Sequence, residues 1–220
     1  MVSTKTKQQN QPHSRPTMTR EVTFKTGHIQ KLYARSFGVS ASSLFNINVI
    51  LPIVGDEEAI EQIEDIIYTY FNETTKTLSE GVERCRTLIE QHAIAVELDY
   101  SHVETYAVKL PTPNASKLLN LFVMSDELLC LLDTLWFGGI VDSKHRRQEG
   151  YEWLRQVKRL CGKIIGIERR ARSAAYKNND NQDADIPEPP EGAEELEKEA
   201  EIESELNIEA PTTAETSEAA

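Results

Sequence analysis

Between Asp142 and Lys177, apolar residues recur at helical spacing through a stretch dense in bases. That combination limits the fold more than anything else in the chain. At 3.6 residues per turn, Trp153, Val157, Leu160, Ile164 and Ile167 stack on one face with Cys161 beside them. Arg155, Arg159, Lys163 and Arg170 fall on the opposite face, and Lys158, Arg169 and Arg172 widen the cationic arc. The turn ahead of the helix adds Lys144, His145, Arg146 and Arg147. A helix of this kind buries its stripe against a core built by the rest of the chain and presents its other side to water or to an anionic partner.

The net charge of −12 hides this concentration of bases, because the charge is sorted along the chain. Residues 1–55 carry a net +6, residues 56–104 a net −10, residues 141–177 a net +7 and residues 178–220 a net −14. The last segment has almost no aromatic residues and is read as a disordered acidic tail, since it buries too little apolar surface to offset its ordering entropy. Residues 1–18, polar and rich in Gln, Ser and Thr, read as a disordered basic arm. Residues 19–177 are then a single domain.

Within that domain, "REVTFKTG" alternates, with Val22 and Phe24 on one side and Thr23 and Lys25 on the other, as in a half-buried strand. "TYAVKLP" alternates likewise up to Pro111. The spacing of Ile60, Ile63, Ile67, Phe71, Leu78, Val82, Cys85 and Ile89 predicts a long helix opening at Asp56, with a break near Thr74–Thr77. In residues 113–139, Asn114 is a candidate cap for one helix and Ser125 or Asp126 for another, with Gly138 and Gly139 as the stop. "HIQKLYARSFG" fits a strand or helical turns equally well, and "SLFNINVILPIVG" is apolar and β-branched with breaks at Pro52 and Gly55. The expected fold is α+β, mostly helical.

No catalytic signature accompanies this framework. There is no phosphate-binding glycine loop, and the five histidines lack zinc-ligand spacing; His92 and His102 near Glu90 and Asp99 form only a weak constellation. Ser40, Ser42 and Ser43 have no base nearby, and Cys85 has no paired histidine. The three cysteines, none in a CxxC pair, read as reduced thiols of a cytoplasmic protein. The chain is expected to be neither an enzyme nor a membrane protein, and to take no cofactor, metal or small-molecule ligand.

The bases point instead to double-stranded DNA. Each Lys or Arg that neutralises a phosphate releases condensed counterions, and Arg adds bidentate hydrogen bonds. An ordinary exposed helix face is merely solvated, but it usually mixes signs, and this one is almost wholly cationic. The candidate contacts are Lys144, His145, Arg146, Arg147, Arg155, Lys158, Arg159, Lys163, Arg169, Arg170 and Arg172. Arg20 and Lys25 join them if the first strand enters a groove as a ribbon.

The stretch "LDYSHVETYAVKLPTPNASKLLNLFVMSDELLCLLDTLWFGGIVDS", with "WLRQVKRLCGKIIGIERR" after it, resembles the AcaB-like family of conjugative plasmids and integrating conjugative elements. The resemblance lies in Thr112-Pro113, residues 126–128, the "LDTLW" of residues 132–136 and Gly139-Ile140, and it extends in arrangement over residues 20–175. It implies a sequence-specific transcriptional regulator, an activator of conjugation genes, acting at promoter DNA as a homodimer. The same stretch is similar to a ribbon-helix-helix module, with "LLNLFVM" or one of the two strands as the ribbon. A non-catalytic adaptor of the conjugation apparatus, working through protein–protein contacts, is the alternative.

Overall fold

The computed structural model describes residues 16–54, 57–178 and 192–206. It is mostly helical, with one two-stranded antiparallel sheet. Strand β1 (Met18–Phe24) pairs with β2 (Glu104–Leu110), running from Met18 opposite Leu110 to Phe24 opposite Glu104. Alternation buries Val22, Phe24, Val108 and Leu110 against the helices and leaves Thr19, Glu21, Thr23, Thr105, Ala107 and Lys109 exposed. Arg20 shares the parity of Val22 and Phe24. It therefore faces the helices, and its guanidinium donates to Asn120 Oδ1.

Helix α1 (Gly27–Phe45) follows β1 at once. It settles the ambiguity of "HIQKLYARSFG" because Ile29, Phe37, Ala41 and Leu44 make a helical, buried stripe. Tyr33 and Phe37 join Phe24, Tyr106 and Phe122 in an aromatic cluster with centroid separations of 4.7 to 5.9 Å. The next residues, Asn46–Ile50, continue as a π-helical turn rather than a strand, with Leu51 N–H donating to Asn46 O five residues back. Pro52 lies just beyond, in α2 (Leu51–Val54), and supplies no N–H for a regular ladder.

Helix α3 (Glu57–Gln91) runs without the break expected near Thr74–Thr77. At Gly81 it meets Trp153: a Cβ there would lie 2.8 Å from the indole, so only glycine admits the ring at this crossing. Helix α4 (Pro113–Phe137) is one helix, not two, and its cap is Thr112, whose Oγ1 accepts from Ala115 N at 3.1 Å. Asn114 instead donates to Asn48 Oδ1 in the π-helical turn. "LLNLFVM" lies inside α4, so it is no ribbon. The two strands pair with each other within the chain, which occupies one edge of each.

Helix α5 (Ser143–Asn178) begins at Asp142, whose Oδ1 accepts from the backbone N of Lys144 and of His145, both at 2.8 Å. Those two bonds, from His145 and Lys144, hold the Asp142 carboxyl below its ordinary range. Helices α1, α3 and α4 all pack on α5, burying Val157, Leu160, Cys161, Ile164 and Ile167. Helix α6 (Ala193–Leu206) lies within the segment expected to be a disordered tail. It packs on α5 through Ala193 and Leu196, which meet Ile165 and Val39. Composition alone suggested disorder because it ignores a partner of opposite charge. Residues 179–191 and 207–220 of the expected tail, and residues 1–15 of the expected arm, lie outside the described residues.

One buried carboxylate joins the sheet to the helices. Asp126, 5% exposed in the middle of α4, accepts from Lys25 N at 2.8 Å, Thr26 N at 2.9 Å and Thr26 Oγ1 at 2.6 Å. Thr26 is the N-cap of α1 and makes no side-chain cap of its own; the α4 carboxylate instead takes the backbone N–H of the cap residue and of the residue before it, placing negative charge at the start of α1. Replacing Asp126 by Ala strands two backbone donors and should cost about 2–3 kcal/mol in urea unfolding. Asp126→Asn, which keeps one acceptor oxygen, should cost less, and equal losses would contradict this account. The thiols give a second check. Burial pushes Cys130 up to about 11 and raises Cys85 and Cys161 as well. Maleimide at pH 8 should label the native protein slowly and all three cysteines quickly after unfolding.

Candidate nucleic-acid interface

Helices α1 and α5 run side by side in the same direction. The His28 and Tyr151 rings lie 6.3 Å apart. One helical heptad further along, Arg35 and Lys158 both reach Glu199, at 2.7 and 3.0 Å. Seven residues separate the two landmarks on each helix, so the rows stay in step for about 10 Å.

Between the rows lies an open groove of about 660 Å³, lined by His28, Lys31 and Arg35 from α1 and by Tyr151, Arg155 and Lys158 from α5. Both sets place side chains along one helix face, the α1 set at i, i+3, i+7 and the α5 set at i, i+4, i+7. At its amino-terminal end the groove continues past Arg146 and Arg147 into a cleft of about 270 Å³, and past Lys25 toward the Glu104 end of the ribbon. Cations from the β1–α1 turn, α1 and α5 thus line one trough, together with Glu152 and with exposed Tyr151 standing in it.

Arg146 is held rigidly at that end. Its Nε donates to Asp133 Oδ1 at 2.5 Å, and its guanidinium lies 4.6 Å from the centre of the Trp136 ring. Tyr100 also donates to Asp133, at 3.1 Å, and burial raises its phenol above the ordinary range. Arg147 turns back along its own helix, its Nε donating to Ser143 O at 3.1 Å. Lys144 and His145 are exposed in the first turn of α5.

The expected single cationic arc of α5 is divided among three neighbours. Arg155 and Lys158 face the α1 groove, Arg155 also pairing with Glu152 at 3.2 Å. Arg159 and Lys163 face α3, where Lys163 sits 4.2 Å from the Tyr70 ring centre. Arg169 pairs with Glu197 at 3.0 Å and Glu194 at 3.9 Å on α6, while Arg170 is exposed. Arg172 is 8% exposed and lies 3.5 Å from Glu168, which also accepts from Asn46 in the π-helical turn. It belongs to a buried polar network, not to an outward face, because α5 is enclosed on several sides rather than one.

His28, Lys31, Arg35 and Tyr151 complete the trough without standing out in the sequence. The i, i+3, i+7 spacing of the three α1 residues is visible in "HIQKLYAR" once that stretch is taken as helix. No group of three or more potential metal ligands occurs among the described residues, and no helix there is long and apolar enough to cross a membrane.

No family model matches this chain, and none of the curated proteins matches it. Among solved structures, the crystal structure of selenomethionine-containing AcaB from uropathogenic E. coli is similar, with a TM-score of 0.79 at 30% sequence identity. The match covers 86% of this chain and 98% of that one. With a shared fold over nearly the whole of that protein and this level of identity, the chain belongs to the AcaB-like family.

Proposed function

We propose that the chain is a cytoplasmic, DNA-binding transcriptional regulator, an activator of conjugative transfer genes, that binds promoter DNA as a homodimer. The observation that carries this reading is the trough between α1 and α5. Two parallel helices set Lys31 and Arg35 against Arg155 and Lys158, and Lys25 of the β1–α1 turn and the start of α5 extend the row. A polyanion with regularly spaced phosphates suits such a row, and counterion release supplies the affinity. The family resemblance adds the biological context of conjugation.

The adaptor reading draws support from a different observation. Arg35, Lys158 and Arg169 are engaged by carboxylates of α6, which counts against a permanently open DNA surface. Gel shifts with DNA from upstream of conjugation promoters separate the two. A chain that leaves such DNA unshifted at low salt is an adaptor.

The trough also makes a spatial prediction. Changing Lys31, Arg147 and Arg155 together to Glu should weaken DNA binding by at least about a hundredfold. The log–log salt slope should flatten by about one unit for each phosphate no longer neutralised. Changing Lys163 and Arg170 to Glu, off the trough, should have a small effect. The reverse pattern would move the interface to the α3 side of α5. Dimerisation is read separately, from sedimentation and from a two-fold symmetric footprint.

A further inference from the structure

Helix α6 is held against the far end of the trough in a way that its own sequence does not require. Its apolar anchorage is small: Ala193 and Leu196 against Ile165, with Val39 at the edge. Ion pairs supplement it among the described residues. Glu199 bridges the two walls, 2.7 Å from Arg35 and 3.0 Å from Lys158, and Glu195 adds a contact to Arg35 at 3.4 Å. Glu197 and Glu194 take Arg169 at 3.0 and 3.9 Å. Burial opposes ionisation of Glu199, but the hydrogen bonds from Arg35 and Lys158 outweigh it and hold its carboxyl below the ordinary range. Donating to Glu199 raises the Arg35 guanidinium in turn. At Gly166 the helices come so close that a Cβ would stand 2.9 Å from Glu197 Oε1. Glu195 and Glu199 occupy two bases, Arg35 and Lys158, that a DNA backbone laid along the trough would need, and they carry the same charge as its phosphates.

We propose that α6 is an acidic lid that competes with DNA phosphates for Arg35 and Lys158, with Arg169 helping to hold it closed, so that DNA binding displaces it. The proposal rests on the DNA-binding reading of the trough. Fourteen residues connect α5 to α6, so the released lid stays tethered at high effective concentration and re-docks when DNA leaves. The protein then binds DNA only through its lid-open fraction, and its apparent affinity falls in proportion to that fraction. The factor is the same for a non-specific site and for an operator, so the lid lowers affinity for both without altering their ratio.

The test uses the full-length chain and a fluorescent DNA duplex. In one variant Glu194, Glu195, Glu197 and Glu199 are all changed to Gln, which removes the ionic contacts and keeps Ala193 and Leu196. In a control, Glu57→Gln, Glu58→Gln, Glu61→Gln and Asp65→Asn make the same change in net charge on the exposed side of α3. If the lid is closed about nine-tenths of the time, the α6 variant binds about tenfold more tightly at low salt, the control does not, and the advantage shrinks as salt rises. Hydrogen exchange on the wild-type chain supplies a second readout: saturating DNA should strip protection from residues 193–206 while α1 and α5 gain it. Equal affinities of wild type and α6 variant, an equal gain in the control, or unchanged protection of α6 overturns the lid and leaves the trough standing. Failure of every form to bind DNA overturns the trough and the lid with it.

Discussion

The carboxylate of Asp126 is the constraint on which the arrangement depends. A short turn of two residues joins β1 to α1, so the direction in which β1 ends determines where α1 starts. That turn presents two backbone donors, at Lys25 and Thr26, to the interior of the fold, and α4 answers both from its own middle. The negative charge also sits at the amino-terminal end of α1, where the helix dipole favours it. Fixing this junction fixes the ribbon against α4 and sets α1 alongside α5. The trough exists because α1 is aimed from that point.

With α1 placed, the distribution of charge follows from packing. Helix α5 packs against α1, α3, α4 and α6, so its bases are shared out among several neighbours. Its bases are long and amphipathic and settle where their stems pack and their heads find a partner: over Tyr70, over Trp136, toward α6, or into the trough. The buried cluster of Asn46, Glu168 and Arg172 shows the same rule at its limit, since an enclosed guanidinium is tolerated only with an anion beside it. A cationic surface in this fold is accordingly a seam between two helices and not the back of one.

Much of this was legible in the sequence, and the failures have physical causes. The two strands alternate cleanly because one face of the ribbon is covered and the other is not, and α3 and α5 show a stripe because each has a wet side. Helix α4 has apolar residues nearly all round, since it is packed on several sides, and a helix without a polar face offers no phase by which to distinguish one helix from two. Residues 46–50 hold the β-branched Ile47, Val49 and Ile50 alongside two asparagines, a composition shared by strands and buried helical turns, and only tertiary contacts decide between them. Arg20 was legible in principle, as the parity that buries Val22 and Phe24 also turns it inward. The α1 wall of the trough is hard to see because it depends on reading "HIQKLYAR" as helix, and aromatic, Ser and Gly residues around it dilute that signal. The helix in the acidic segment is hidden for a different reason: disorder follows from what the segment can bury by itself, whereas its bases lie on another part of the same chain.

That last point bears on how strongly α6 is held. Ion pairs at the protein surface each contribute little, well under about 1 kcal/mol in most cases, because water screens them and ordering long side chains costs entropy. The α6 pairs are largely of this kind: the side chain of Arg35 is 45% exposed and that of Arg169 47%. Two small apolar anchors add only a modest hydrophobic term. The rest of the core, from the aromatic cluster to the α4–α5 contact, closes without α6. Docking of this helix is therefore weak beside the stability of the domain, and its dependence on salt differs in kind from that of a core built on buried carbon. A strip of acid that sits on the most basic seam of the molecule, held by forces of the same type and size as those a polyanion would exert, is placed to yield to one.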